Sequence, residues 1–142
     1  MSLEKEKPNP NNKVKSAFES VKNQLKKTIQ ESIKKEGKEI EKTIRSYSNE
    51  KGRFSETLIA ELKENKITIK FLLEGPDIDI EYSFELDNFK DADLNTAKST
   101  IEITKKTEIY NEKILEKQAG DFKDYFHKGI LKIIGEIKIN KQ

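Results

Sequence analysis

Between Asp77 and Asp87 the chain alternates without a break. Ile78, Ile80, Tyr82, Phe84 and Leu86 are separated by Asp79, Glu81, Ser83 and Glu85, with Asp77 and Asp87 at the ends. A period of two sends successive side chains to opposite faces of a strand, so this segment has one dry face and one wet face. That is the signature of an antiparallel sheet covered on one side; a parallel sheet buried on both faces needs a continuous apolar run. Upstream, Ile67, Ile69, Phe71 and Leu73 alternate with Thr68, Lys70, Leu72 and Glu74, and Gly75-Pro76-Asp77 makes the turn between the two runs.

Two further strands join this pair. Phe54 to Lys63 fits a helix through Phe54, Leu58, Ile59 and Leu62 and a strand through Leu58, Ala60 and Leu62. The strand is favoured because Glu64-Asn65 then closes a hairpin onto Lys66. After an acidic connection from Phe89 to Ala97 comes the short strand Thr100-Ile101-Glu102-Ile103.

Met1 to Asn12 holds Pro8, Pro10 and asparagines without apolar periodicity and is expected to be a disordered lead-in. From Lys13 to Ser48, Val14, Phe18, Val21, Leu25, Ile29, Ile33, Ile40, Ile44 and Tyr47 recur in steps of three, four and seven, which predicts a long helical segment over 13–48. Gly37 is the expected break between two helices within it. The opposite face carries Lys15, Lys22, Lys26, Lys27, Lys34, Lys35 and Lys38. A solvated face is the plain reading, and peripheral contact with an anionic membrane is the alternative.

Near the C-terminus, Thr104 can cap a helix bearing Ile109, Tyr110, Ile114 and Leu115 and ending at Ala119-Gly120. Asp121 can cap a shorter one with Phe122, Tyr125 and Phe126, stopped by Gly129. Leu131, Ile133, Gly135, Ile137 and Ile139 then alternate as a final strand. The whole predicts an α+β domain over residues 13–142, with one mainly antiparallel sheet of about five strands and helices covering one face.

Several functional classes lose support. A net charge of +2, with both signs mixed along the chain and arginine confined to Arg45 and Arg53, argues against nucleic acid as a partner. There are no cysteines, so no disulfides and no thiolate chemistry. A lone histidine, His127, makes no metal site or triad, and its expected place beside Gly129 is a helix end, where it meets the dipole favourably. The acidic residues from Asp77 to Asp87 are expected to face solvent or protect a sheet edge rather than act as a catalytic pair. Gly75, Gly129 and Gly135 are too far apart for a phosphate loop. No catalytic residue and no cofactor is expected, and the absence of a signal-like apolar segment points to the cytoplasm.

Residues Ser99-Thr-Ile-Glu-Ile-Thr104, the helix Lys105 to Gln118, Asp121-Phe122, Tyr125-Phe126 and Lys128-Gly-Ile-Leu-Lys-Ile-Ile-Gly-Glu-Ile137 together resemble the C-terminal signature of the sterol carrier protein-2 family. The resemblance implies a carrier that holds a sterol, fatty acid, acyl-CoA or phospholipid between helices and sheet. It assigns the cavity wall to Ile109, Tyr110, Ile114, Leu115, Phe122, Tyr125 and Phe126 of the helices, and to Ile80, Tyr82, Phe84 and Ile133 of the sheet. Tyr110 and Tyr125 are candidates to meet a lipid head group.

Two departures from the family stand out. Its members commonly continue past the last strand into a helix that helps close the tunnel, whereas these residues stop at Gln142. The last residues are also not the Ser-Lys-Leu peroxisomal address of some members. The tunnel is then open at one end, filled by Val14 to Tyr47, or closed by a second subunit. Three readings follow: a lipid carrier, an interaction domain without an open cavity that dimerises through its N-terminal helix, and an accessory presenting a hydrophobic substrate to a separate enzyme.

Overall fold

The computed structural model describes the backbone of residues 10–91 and 93–140, and side chains from Phe18 to Lys138. The order is α1 (Pro10–Lys34), β1 (Glu39–Asn49), β2 (Gly52–Lys63), β3 (Lys66–Glu74), β4 (Ile78–Leu86), β5 (Lys98–Lys105) and α2 (Glu112–Asn140), with two 3-10 turns between β4 and β5. The five strands form one antiparallel meander in the order β1-β2-β3-β4-β5. The class is α+β, and both helices lie over the same face of the sheet.

The alternation sets that face. Ile69 pairs with Phe84 and Phe71 with Tyr82 across β3 and β4, while Leu58 and Ala60 of β2 oppose Phe71 and Ile69. All six are buried. On the outer face, Lys66 meets Glu85 at 3.5 Å and Lys70 meets Glu81 at 3.9 Å. The β4 carboxylates therefore sit on an interior strand, Glu81 and Glu85 against lysines of β3 and Asp79 against Lys106, and none protects an edge. The Glu64-Asn65 hairpin forms as expected, with φ of 53° and 65°, the geometry that the right-handed twist of paired strands favours in a two-residue turn.

Three expectations fail. The helical segment predicted over 13–48 becomes one helix and one strand: α1 ends at Lys34, Gly37 turns with φ of 90°, and its N–H donates to the Leu62 carbonyl at 2.7 Å. The apolar steps through Ile40, Ile44 and Tyr47 arise from a β-bulge between Thr43 and Arg45, where one extra residue shifts the phase of β1 and mimics a helical step. Residues 10–12, expected in the lead-in, belong to α1. Pro10 starts α1, at the first helical position where its missing N–H costs nothing, and residues 1–9 lie outside the described residues.

The third failure is at the C-terminus. The helices predicted to start at Thr104 and Asp121 and the strand over 131–139 are replaced by a single helix of 29 residues. Thr104 belongs to β5, and the cap is Asn111, whose Oδ1 accepts the N–H groups of Lys113 at 2.9 Å and Ile114 at 3.2 Å. Phe126, Ile130, Ile133, Ile134 and Ile137 recur at helical spacing and are all buried. The sheet thus reaches the expected five strands with β1 in place of the C-terminal segment.

The two helices run side by side in the same direction. Phe18 meets Tyr125 and Phe126 edge-on, at centroid distances of 5.6 and 5.1 Å, and Lys26 reaches Glu136 further along. Phe18, Val21, Leu25 and Ile29 of α1 are buried in the core, while Val14 lies outside the described side chains. Lys42 of β1 ties the end of α1 to the sheet through Glu31 at 2.7 Å. Hydrogen bonds from Lys42 and then Lys35 hold the Glu31 carboxyl below its ordinary range.

Candidate functional site

The residues assigned to a cavity wall divide between two levels of the molecule. Tyr82, Phe84, Phe126 and Ile133 are fully buried, and Phe122 and Tyr125 pack against them half-buried. Phe122 and Phe126 stack at 4.2 Å with an 8° interplanar angle, and Phe126 also meets Phe71 and Tyr82, each at 5.5 Å. Rings at these separations are in direct packing contact. At this level the space between α2 and the sheet is filled by the side chains themselves.

Toward the start of α2 the filling stops. Its sheet-facing stripe continues upward from Phe126 and Phe122 to Ala119 and Leu115, so a ring gives way to a methyl group one turn later. Across from them stand Ile101 and Ile103 of β5, which share a face with Tyr82 and Ile80 through their pairing. The result is an open groove of about 320 Å³ between β5 and the first turns of α2, with Ile101, Ile103, Leu115 and Ala119 as its apolar walls. Lys105, Glu112 and Glu116 complete the lining.

Of the other expected wall residues, Leu115 lines this groove and Ile80 is half-buried on the same sheet face. Ile109 and Ile114 are 69% and 57% exposed, at the connection before α2 and in its first turn. Tyr110 is half-buried, and its hydroxyl is pushed up by burial and by the charge of Asp77. Reasoning from the sequence missed Ile101, Ile103 and Ala119. The alternation of β5 was the available signal for the first two; nothing local marks an alanine as the place where a stripe opens.

Lys105 and Glu112 close one end of the groove with an ion pair at 2.9 Å. The hydrogen bond that Lys105 donates to Glu112 raises the Lys105 ammonium above its ordinary value, with Glu108 adding to the effect, and the same bond lowers the Glu112 carboxyl.

A polar chain runs beneath. Tyr82 Oη lies 2.7 Å from Ser99 Oγ, which lies 2.5 Å from His127 Nδ1. In the neutral tautomer that carries its proton on Nε2, His127 Nδ1 accepts from Ser99 and Ser99 in turn accepts from Tyr82. His127 thus stands mid-helix in α2, facing β5, and not at the helix end expected for it. No carboxylate of the described residues bonds its other ring nitrogen, so the pair lacks the third member that orients a base for nucleophilic catalysis. Its effect is to satisfy a tyrosine hydroxyl inside the core.

Among the described residues no cluster of histidine and carboxylate side chains is placed to hold a metal ion, and no helix is long and apolar enough to cross a membrane. No family model matches the chain, and neither a curated protein nor a solved structure matches it.

Proposed function

We propose that the protein binds the hydrocarbon chain of a lipid in the open groove between β5 and the first turns of α2. The observation that carries this reading is the apolar wall of Ile101, Ile103, Leu115 and Ala119 around about 320 Å³, at the low end of the ~300–1,000 Å³ of ligand pockets. The exposed Ile109 stands in the connection that leads into the same end of α2, while Ile114 lies on the face of α2 turned away from the groove. Each CH₂ withdrawn from water contributes ~0.8 kcal/mol, so a short acyl segment needs no polar chemistry to bind.

The ligand class is the one implied by the resemblance to the sterol carrier protein-2 family, but the support now comes from the groove. Residues 99–104 lie in a strand, whereas the helix expected over 105–118 begins only at Glu112, and residues 131–137 are helical where the signature has a strand. Dimerisation through α1 has less support, because Phe18, Val21, Leu25 and Ile29 of its apolar stripe are buried inside the protomer.

The test is binding of Nile red, an uncharged apolar probe whose fluorescence rises on leaving water. Leu115→Asp and Ala119→Phe should each abolish the rise while the far-ultraviolet dichroism stays unchanged, the first by charging the wall and the second by filling the groove. Wild-type binding by both folded variants would overturn the reading.

A further inference from the structure

The charges around the groove bear on which head group the lipid carries. Among the described residues Lys105 is its one lining cation, with a side chain 26% exposed and already paired to Glu112, whose side chain is 76% exposed. Glu116, one turn further along α2, also lines the groove, and Glu108 acts on Lys105 from the connection before the helix. One ammonium therefore faces three carboxylates.

Nearby cations do not reverse the balance. Lys106 is held by the Gly75 carbonyl at 2.9 Å and by Asp79 at 3.1 Å, and Lys117 pairs with Asp121 at 3.9 Å. Lys113 is not part of the lining. A helix N-terminus ordinarily attracts anions through its free N–H groups. Here two of those groups, on Lys113 and Ile114, are taken by Asn111 Oδ1. An anionic head group would meet Glu116 and would have to displace Glu112 to reach Lys105.

We infer that the groove selects a single-chain amphiphile with a cationic amine head group, which sits against Glu116 and Glu112 while its chain lies along Ile101, Ile103, Leu115 and Ala119. The inference rests on the groove being a lipid site and narrows the ligand class within it. A free fatty acid is the disfavoured case. Pairs at a solvent-facing rim are weak, so the discrimination is modest: about fivefold between ammonium and carboxylate at low ionic strength, and less as salt is added.

The experiment displaces Nile red from the full chain at neutral pH and low salt with three amphiphiles of equal chain length, used below their micelle concentrations: dodecyltrimethylammonium, dodecanol and laurate. The ammonium should compete about fivefold better than laurate, with the alcohol between them. Glu116→Lys should bring laurate level with or ahead of the ammonium, and Glu116→Gln should narrow the gap; position 116 is exposed on a helix, so both substitutions leave the core untouched. Laurate competing as well as the ammonium in the wild type, or a ranking unmoved by Glu116→Lys, would overturn the head-group assignment and leave the groove standing. Failure of all three amphiphiles to displace a bound probe would overturn the groove as a lipid site, and the head-group assignment with it.

Discussion

The ring of Phe18 on α1 lies against Gly129 on α2 so closely that a Cβ at position 129 would run into it. Glycine is here a packing device inside a helix rather than the helix stop its position suggests. The contact lets α1 approach α2 and places Phe18 edge-on to Tyr125 and Phe126.

Three glycines of α2 should respond to alanine in opposite ways. Gly120 and Gly135 have open space where the methyl would go, so Gly120→Ala and Gly135→Ala should each raise stability by about 0.5–1 kcal/mol through helix propensity. Gly129→Ala gains the same propensity but must push back the Phe18 ring, and should lose about 1–2 kcal/mol net. Urea denaturation midpoints of the three variants test the contrast. A Gly129→Ala midpoint above wild type would show that Phe18 yields freely.

Phe126 and Leu115 lie on one stripe of α2 but should fail differently. Phe126 touches Phe18, Phe71, Tyr82 and Phe122 in the core, so Phe126→Ala should cost about 3–5 kcal/mol, a large part of a domain's stability. Leu115 lines the open groove, and Leu115→Asp should change stability by less than about 1 kcal/mol while removing Nile red binding. Thermal melts beside probe titrations separate the two. Equal destabilisation by both would place Leu115 in the core.

Ser99 is the link that satisfies a phenol with no solvent access: Tyr82 is 0% exposed. Ser99→Ala strands that hydroxyl and should cost about 1–3 kcal/mol, whereas adding Tyr82→Phe to it should recover most of the loss. A double-mutant cycle by urea denaturation measures this coupling. Additive losses would mean that the chain from Tyr82 to His127 carries no energy of its own.

Burial also pushes the Tyr82 hydroxyl well above its ordinary titration range, opposed only in part by the Ser99 hydrogen bond. The folded pKa exceeds the unfolded one, so the stabilisation is complete below the unfolded value near 10 and falls away as pH rises toward the folded value. Above about pH 10 this group alone should remove ~1.4 kcal/mol per pH unit. Lys105 also titrates there, its pKa raised by Glu112, so the reading is the difference between wild type and Tyr82→Phe. The variant should lose less stability between about pH 9.5 and 11, and parallel profiles would contradict the assignment.

Local pattern alone settles the middle of the molecule. The strict alternation from Ile67 to Leu86 and the Glu64-Asn65 turn specify β3, β4 and their neighbour, because a one-residue slip would expose every buried side chain. The apolar stripe of α1 from Phe18 to Ile29 is similarly unambiguous. The two ends were not decided locally. Ile40, Ile44 and Tyr47 fit a helical step as well as a bulged strand, and only pairing with β2 selects the strand. Residues 131–137 satisfy a period of two through Leu131, Ile133 and Ile137, and a helical period through Ile130, Ile133, Ile134 and Ile137. Tertiary structure chose the helix, since β1 already extends the sheet and the apolar face around Ile67 and Leu86 requires a cover. The groove was likewise invisible in the sequence. It depends on Ala119 standing opposite Ile101 and Ile103, a distance relation between segments that no local periodicity encodes.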